Sequence, residues 1–191
     1  MIIGISGSAR SGKDTFFNLL CKYYGKPNFF QRHAFADQLK NDLKSLIKRK
    51  FDINIAKCSD EEKELIRPLM VSYGKLARNI NQDYWIKKLM NKILPYKNTK
   101  IPVITDVRYP NEQRYLKAHF DDCINVHISR EGFLPVNEEE EFNNPLLKEN
   151  ADYLIEWKNF EKTEDEGLPF IENFVNEKLK RYNRQWINRI N

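Results

Sequence analysis

Cysteine is scarce in these 191 residues: Cys21, Cys58 and Cys123 are the only three, scattered and forming no Cys-x-x-Cys pair. That spacing excludes a disulfide framework and a cysteine zinc site, and it fits a reducing compartment. Histidine is equally sparse. His33, His119 and His127 show no metal-ligand spacing and read as structural or surface residues. No apolar run approaches the roughly 20 residues of a membrane span. Residues 1–6 read as a strand running into Gly7 rather than as a signal peptide, so a cytoplasmic protein is expected. No internal repeat and no interdomain linker is visible.

What is present is globular in character. Hydrophobic residues make up 41% and charged residues 31%, with 12 Phe, 9 Tyr and 3 Trp, a balance that argues against disorder. The length suits one α/β domain over residues 1–191, large enough for a substantial core. The formal charge of +5 fits a protein that handles anions, whether nucleic acid or phosphometabolites, and equally fits a solvated basic surface.

The periodicity alternates between strand and helix. Residues 1–6 are apolar and β-branched, as in a buried parallel strand. Residues 14–24 place Phe16, Phe17, Leu19, Leu20 and Tyr23 on a helical face, ended by Gly25 and Pro27. A short strand is expected near residues 33–36, then a helix from Asp37 with Leu39, Leu43, Leu46 and Ile47 on one stripe. Ser59 and Glu62 form a capping box that opens a helix towards Asn79, interrupted near Pro68 and Gly74. Tyr84 and Trp85 open a further helix and read as core rather than as a platform for stacking bases.

Residues 101–105 and 124–128 read as buried strands, with a helix between them over 111–120. Residues 131–150 lose periodicity and read as a long polar excursion, a lid over approximately 130–150. Residues 153–157 are a last strand, and 168–190 an amphipathic helix with Lys178, Lys180, Arg181, Arg184 and Arg189 at its basic end. The pattern predicts an α/β three-layer fold, a parallel sheet flanked by helices, with a small lid.

The first strand runs into Gly7-Ser8-Ala9-Arg10-Ser11-Gly12-Lys13-Asp14-Thr15, a Gly-x-x-x-x-Gly-Lys phosphate loop followed by a helix. Gly7 and Gly12 permit torsions that aim backbone N–H groups inwards, and the helix N-terminus adds positive potential. Lys13 can reach the β- and γ-phosphates of a nucleotide. Asp14 stands where the loop usually carries a Ser or Thr that ligates Mg²⁺. A carboxylate can hold that ion directly or through water, and Thr15 is left to bond a phosphate oxygen.

Asp106 closes the third strand candidate, where an acid can order Mg²⁺ water or take a substrate proton, or simply start a turn. Arg108 follows it, and Arg67 and Arg78 lie on the preceding helical segment. Such arginines suit bidentate phosphate binding. Arg130 opens the irregular stretch, from which a closing lid would bring it onto the phosphates.

The phosphate loop resembles that of the phage-type deoxynucleoside monophosphate kinases. So do Phe35-Ala36-Asp37-Gln38-Leu39-Lys40, Arg67-Pro68-Leu69-Met70, Asp83-Tyr84-Trp85-Ile86-Lys87 and Asp106-Val107-Arg108-Tyr109-Pro110-Asn111-Glu112. The resemblance implies transfer of the ATP γ-phosphoryl group, with Mg²⁺, to a deoxynucleoside monophosphate. It implies that Gly7, Arg10, Gly12, Lys13, Asp14 and Thr15 bind the donor, and that Asp14 and Asp106 serve the metal. It further implies that Asp37, Lys40, Arg67, Arg78 and Arg108 line the acceptor site, with Lys13, Asp106, Arg108 and Arg130 acting in transfer. The family is best known from phages and other viruses, which would place the protein in a host's cytoplasm.

One departure is the segment after Ile155, where Glu156-Trp157-Lys158-Asn159 and an acidic run at 161–166 replace the family's short turn. Other small-molecule P-loop kinases, of the dephospho-coenzyme A or phosphomevalonate type, remain open from the residues alone. So does a nucleotide-gated nucleic-acid-binding module, although the basic residues lack the interleaved aromatics that stack bases. No nucleic-acid or membrane partner is expected, and a homodimer is compatible with the sequence.

Overall fold

The computed structural model describes residues 1–25, 29–96, 99–160 and 163–180. These divide into two compact units, one of residues 1–32 and 95–191, the other of residues 33–94. Pro27, part of the acidic run at 161–162, and Arg181, Arg184 and Arg189 of the expected carboxyl-terminal helix lie outside the described residues.

The first unit is built on a five-stranded sheet in the order β2-β3-β1-β4-β5. The strands are β1 (Ile2–Ser6), β2 (Phe30–His33), β3 (Ile101–Val107), β4 (Cys123–Arg130) and β5 (Tyr153–Trp157). β1 pairs in parallel with β3 and β4, and β4 with β5. Every residue of β1 is buried, as expected of a parallel strand covered on both faces. Ile3 and Ile5 point to one face, where α1 (Lys13–Tyr24) and α7 (Leu168–Phe174) supply Phe16, Leu19, Leu20, Ile171 and Phe174. Phe16 and Phe174 meet edge to face at 5.2 Å between ring centres. Each such fully buried side chain stabilises the fold by roughly 1.5–3 kcal/mol. On the other face a side chain on Gly4 would begin 2.8 Å from Asn125 Oδ1 and 3.1 Å from Leu116 of α5 (Pro110–His119), so it would have to displace both neighbours.

α1 ends as its sequence predicts, with Gly25 left-handed at φ 59° and its N–H donating to the carbonyls of Cys21 and Lys22. The 131–150 stretch differs from expectation. It contains α6 (Glu138–Glu149), capped by the Asn137 side chain, which accepts from the Glu140 N–H. Four glutamates in its first turn complement the helix dipole. The helix escapes a periodicity test because its buried residues are Glu140, Asn143 and Leu147, two polar and one apolar. After α7 the chain continues as a π-helical turn, Val175–Leu179.

The second unit is helical: α2 (Phe35–Phe51), α3 (Asp60–Ile80) and α4 (Tyr84–Ile93). The expected strand at 33–36 instead ends at His33, and Ala34 caps α2. The Ser59–Glu62 capping box forms as read, but α3 runs unbroken through Pro68 and Gly74. Gly74 is buried, and a Cβ there would stand 3.0 Å from Leu39 of α2. Its carbonyl accepts the Trp85 indole N–H at 3.2 Å, so Trp85 does belong to a core, with Tyr84 half-buried and edge to face with it. Leu43, Ile47, Ile55 and Ile66 pack beside it.

Candidate active site

The carboxyl end of β1 delivers the chain into the phosphate loop. Gly7 has φ 136° and Gly12 φ 93°, both in the region that favours glycine. A Cβ at Gly7 would lie 2.1 Å from the Ile128 carbonyl oxygen, so β4 packs directly against the loop's first residue. A Cβ at Gly12 would lie 2.8 Å from the Trp157 Nε1 atom. Arg10, between them, is also left-handed at φ 61°. Its exposed side chain stands at the loop's outer bend.

Lys13 folds back over the loop, its Nζ donating to the carbonyls of Gly7 at 2.8 Å and Ser8 at 2.6 Å. Burial, reinforced by the Arg108 guanidinium, pushes its pKa down to about 8, against the opposing pull of Glu140, Asp106 and Asp14. Lys13, Asp14, Asp106, Arg108 and Glu140 therefore share one electrostatic environment. Asp106 is half-buried at the end of β3. Arg108 follows it, exposed, with its backbone N–H held at 2.8 Å by the buried carboxylate of Glu112, which also accepts from the Tyr109 N–H. Asp14 pairs with Arg32 of β2 at 3.1 Å, and Thr15 Oγ1 donates to Glu164 at 3.2 Å.

Arg130 ends β4. Its Nε donates to the Asn159 side chain at 2.9 Å, and its guanidinium lies over the rings of Phe133 and Phe160. It is thus tied to the segment after β5. The remaining predicted acceptor residues lie in the helical unit. Asp37 and Lys40 are half-buried on the first turns of α2. Arg78 is half-buried on the last turn of α3, donating to the Gly74 carbonyl at 3.4 Å. Arg67, three turns earlier on that helix, is exposed and paired with Glu64 at 2.7 Å.

The structure adds residues that sequence reasoning did not assign. Trp157 Nε1 donates to the Ser11 carbonyl at 2.7 Å beneath the loop. From α6, Glu140 accepts the Ala9 N–H at 3.1 Å and Asn144 donates to Ser8 Oγ at 2.8 Å. A signal for α6 was present, since Asn137 three residues before Glu140 is a helix-start pattern. None marked Trp157 or Arg32.

The residues fit a nucleotide with magnesium. The loop is a cradle that side chains on Gly7 and Gly12 would fill. Ser11 Oγ is buried in it without a hydrogen-bond partner, as is Thr105 Oγ1 beside Asp106. Among the described residues no cluster of three His, Cys, Asp or Glu could hold a metal alone. Magnesium bound through phosphate oxygens needs only one or two carboxylates, which Asp14 and Asp106 can supply. Among the described residues no helix is long and apolar enough to cross a membrane.

No functionally curated protein matches this chain in sequence. Among solved structures it is similar to a Thermus thermophilus protein at 16% identity and TM-score 0.48, covering 93% of this chain and 97% of that one. It is also similar to a sugar kinase from Janibacter sp. at 10% identity and TM-score 0.49, covering 92% and 94%. The family model for phosphomevalonate kinase matches residues 5–122, which include the phosphate loop and the segment from Asp106 to Glu112. With that match spanning more than half of its length, this P-loop, kinase-like chain belongs to the phosphomevalonate kinase family.

Proposed function

We propose that the chain transfers the γ-phosphoryl group of ATP to the phosphate of a small phosphorylated acceptor, a deoxynucleoside monophosphate, giving ADP and the diphosphate. The observation that carries this reading is the grouping of Lys13, Asp106 and Arg108 around a glycine cradle at the end of a buried parallel strand. An acceptor that already bears a phosphate needs no strong base. It needs its charge held in line with the donor, which is what arginines do.

In this reading Lys13 leaves the Gly7 and Ser8 carbonyls for the donor's phosphates, joined by the loop N–H groups. Arg108 holds the acceptor phosphate, fixed through its backbone by Glu112. Asp14 and Asp106 take the magnesium ion, which would neutralise charge on the transferring group. Arg32 offsets the negative charge that Asp14 brings near the phosphates. Residues 130–150, with Arg130 at their start, act as the lid that excludes water once donor and acceptor are both bound.

The choice of a deoxynucleotide rests on the resemblance carried by Asp106–Glu112 and Tyr84-Trp85. The match to the phosphomevalonate kinase model favours a second acceptor, phosphomevalonate, on the same machinery. The deciding experiment is ADP release from Mg·ATP with dAMP, dGMP, dCMP, dTMP, their ribose counterparts and phosphomevalonate. Turnover dependent on a deoxynucleotide supports the first reading, and turnover dependent on phosphomevalonate alone replaces it with the second. Absence of turnover with all of them, from folded protein that binds ATP, removes both.

A further inference from the structure

Glu140 is a buried carboxylate, 7% exposed, on a helix whose Glu138 and Glu141 face solvent and whose Glu139 is half-buried. Its Oε2 accepts the Ala9 N–H at 3.1 Å and the Val136 N–H at 3.3 Å, and its Oε1 lies 3.8 Å from Arg108 Nη1. A backbone N–H of the phosphate loop together with a guanidinium is the donor set that binds a phosphate oxygen. Here a side chain of the protein holds it. One turn further along α6, and therefore on the same helix face, Asn144 grips Ser8 Oγ. Two side chains thus fasten one helix to consecutive residues of the loop.

The rest of α6 is built to let this end go. Leu147 is the one apolar residue that the helix buries, and it lies near the carboxyl end, where the Gln113 side chain also bonds the Leu147 carbonyl. The turn that carries Glu140 is held by polar contacts. Pro145 removes one backbone donor between the two halves. An open cleft of about 590 Å³, lined by Ser8, His127, Leu134, Pro145 and Lys148 among others, borders α6 and β4, so this side of the helix is not covered by packed side chains.

We infer that Glu140 is an internal stand-in for phosphate, its contact with Ala9 taking the place of the donor's terminal phosphate and its pairing with Arg108 that of the acceptor's, and that the amino-terminal half of α6 is a gate which must release Ala9 before nucleotide can bind. The inference rests on the phosphate-loop reading and specifies how that loop is regulated. Two anionic groups cannot share the same donors, so nucleotide affinity is reduced by the strength of the Glu140 contacts.

The test is calorimetric titration of Mg·ATP into the wild type and Glu140→Gln, with hydrogen exchange of the wild type measured alongside. Glu140→Gln keeps the shape but removes the charge, and it is expected to bind Mg·ATP about five- to tenfold more tightly, the difference between a charged and a neutral hydrogen bond. In the wild type, saturating Mg·ATP is expected to speed exchange of the amides at 140–144. Equal or weaker binding by folded Glu140→Gln overturns the gate while leaving the phosphate loop as the nucleotide site. So does exchange in α6 that ATP leaves unchanged or slows, a measurement that decides the matter even where the variant does not fold. If neither protein binds Mg·ATP, the phosphate-loop reading fails and the gate fails with it.

Discussion

The indole N–H of Trp157 donates to the Ser11 carbonyl at 2.7 Å, joining the end of β5 to the phosphate loop. The same ring occupies the space a side chain on Gly12 would need, and it is almost wholly buried against Phe160 and Phe170. One aromatic residue therefore sets both the floor of the loop and the identity of its second glycine.

Trp157→Phe should retain most of the packing and lose the hydrogen bond. Because the Ser11 carbonyl would be left buried and unpaired, a destabilisation of about 1–3 kcal/mol is expected in urea unfolding. Mg·ATP affinity should fall with it, since the loop loses its floor. Gly12→Ala should weaken Mg·ATP more than it weakens the fold, because its strain falls on the loop itself. Unchanged affinity in both variants would remove Trp157 from the binding machinery.

Lys13 gives a pH signature. Its pKa in the free protein is lowered from 10.5 to about 8, so above pH 8 the free protein loses a positive charge that phosphate binding would restore. Mg·ATP affinity should be flat below pH 8 and then fall, approaching about tenfold per pH unit as one proton must be taken up on binding. The sign for stability is opposite. Between pH 8 and 10.5 the unfolded chain holds this proton and the native protein does not, so Lys13 raises stability as pH rises through that window. Titration calorimetry across pH 7–10 should show the slope in the wild type and its disappearance in Lys13→Met.

The phosphate loop was legible because its determinants are local: a β-branched run, two glycines and a lysine within 13 residues. Four strands of the sheet were legible for the same reason, as short runs bounded by turns, whereas β2 (Phe30–His33) was expected at 33–36 because its Gln31 and Arg32 break the apolar pattern. α6 was not, because a helix that turns Glu140 and Asn143 inwards leaves no apolar stripe to read. Trp157 looked like a departure from a familiar turn. Its role depends on the pairing of Arg130 with Trp157, which brings it beside a residue 146 positions earlier, a relation no local pattern encodes. Asp14 was recognised as unusual, but its partner Arg32 arrives from β2 through the fold.

Arg108 separates the two ligands of the proposed reaction. Arg108→Ala should raise the KM for the phosphorylated acceptor by one to two orders of magnitude, on the order expected for a lost charge-assisted pair, with a smaller change for ATP. Loss of its positive charge should also let the Lys13 pKa rise, moving the break in the ATP affinity profile above pH 8. Steady-state kinetics with each substrate varied in turn provides the check. Equal losses for donor and acceptor would contradict the acceptor role.

His127 connects the sheet beneath the loop to acid stability. It is buried on β4, with Nδ1 3.0 Å from Ser6 Oγ, in a position the sequence could describe only as structural or superficial. Burial, with the positive charges of Lys148 and Lys13, lowers its pKa from 6.5 to about 4. The native protein therefore holds this imidazole neutral where the unfolded chain has already taken up a proton. As pH falls from 6.5 towards 4 stability is lost, on the order of 3 kcal/mol at the lower end. His127→Gln has no such proton to exclude. Urea unfolding at pH 7.5, 6, 5 and 4.5 should show the wild type losing more stability than the variant over this range, and parallel losses would show that the imidazole is not the group that titrates.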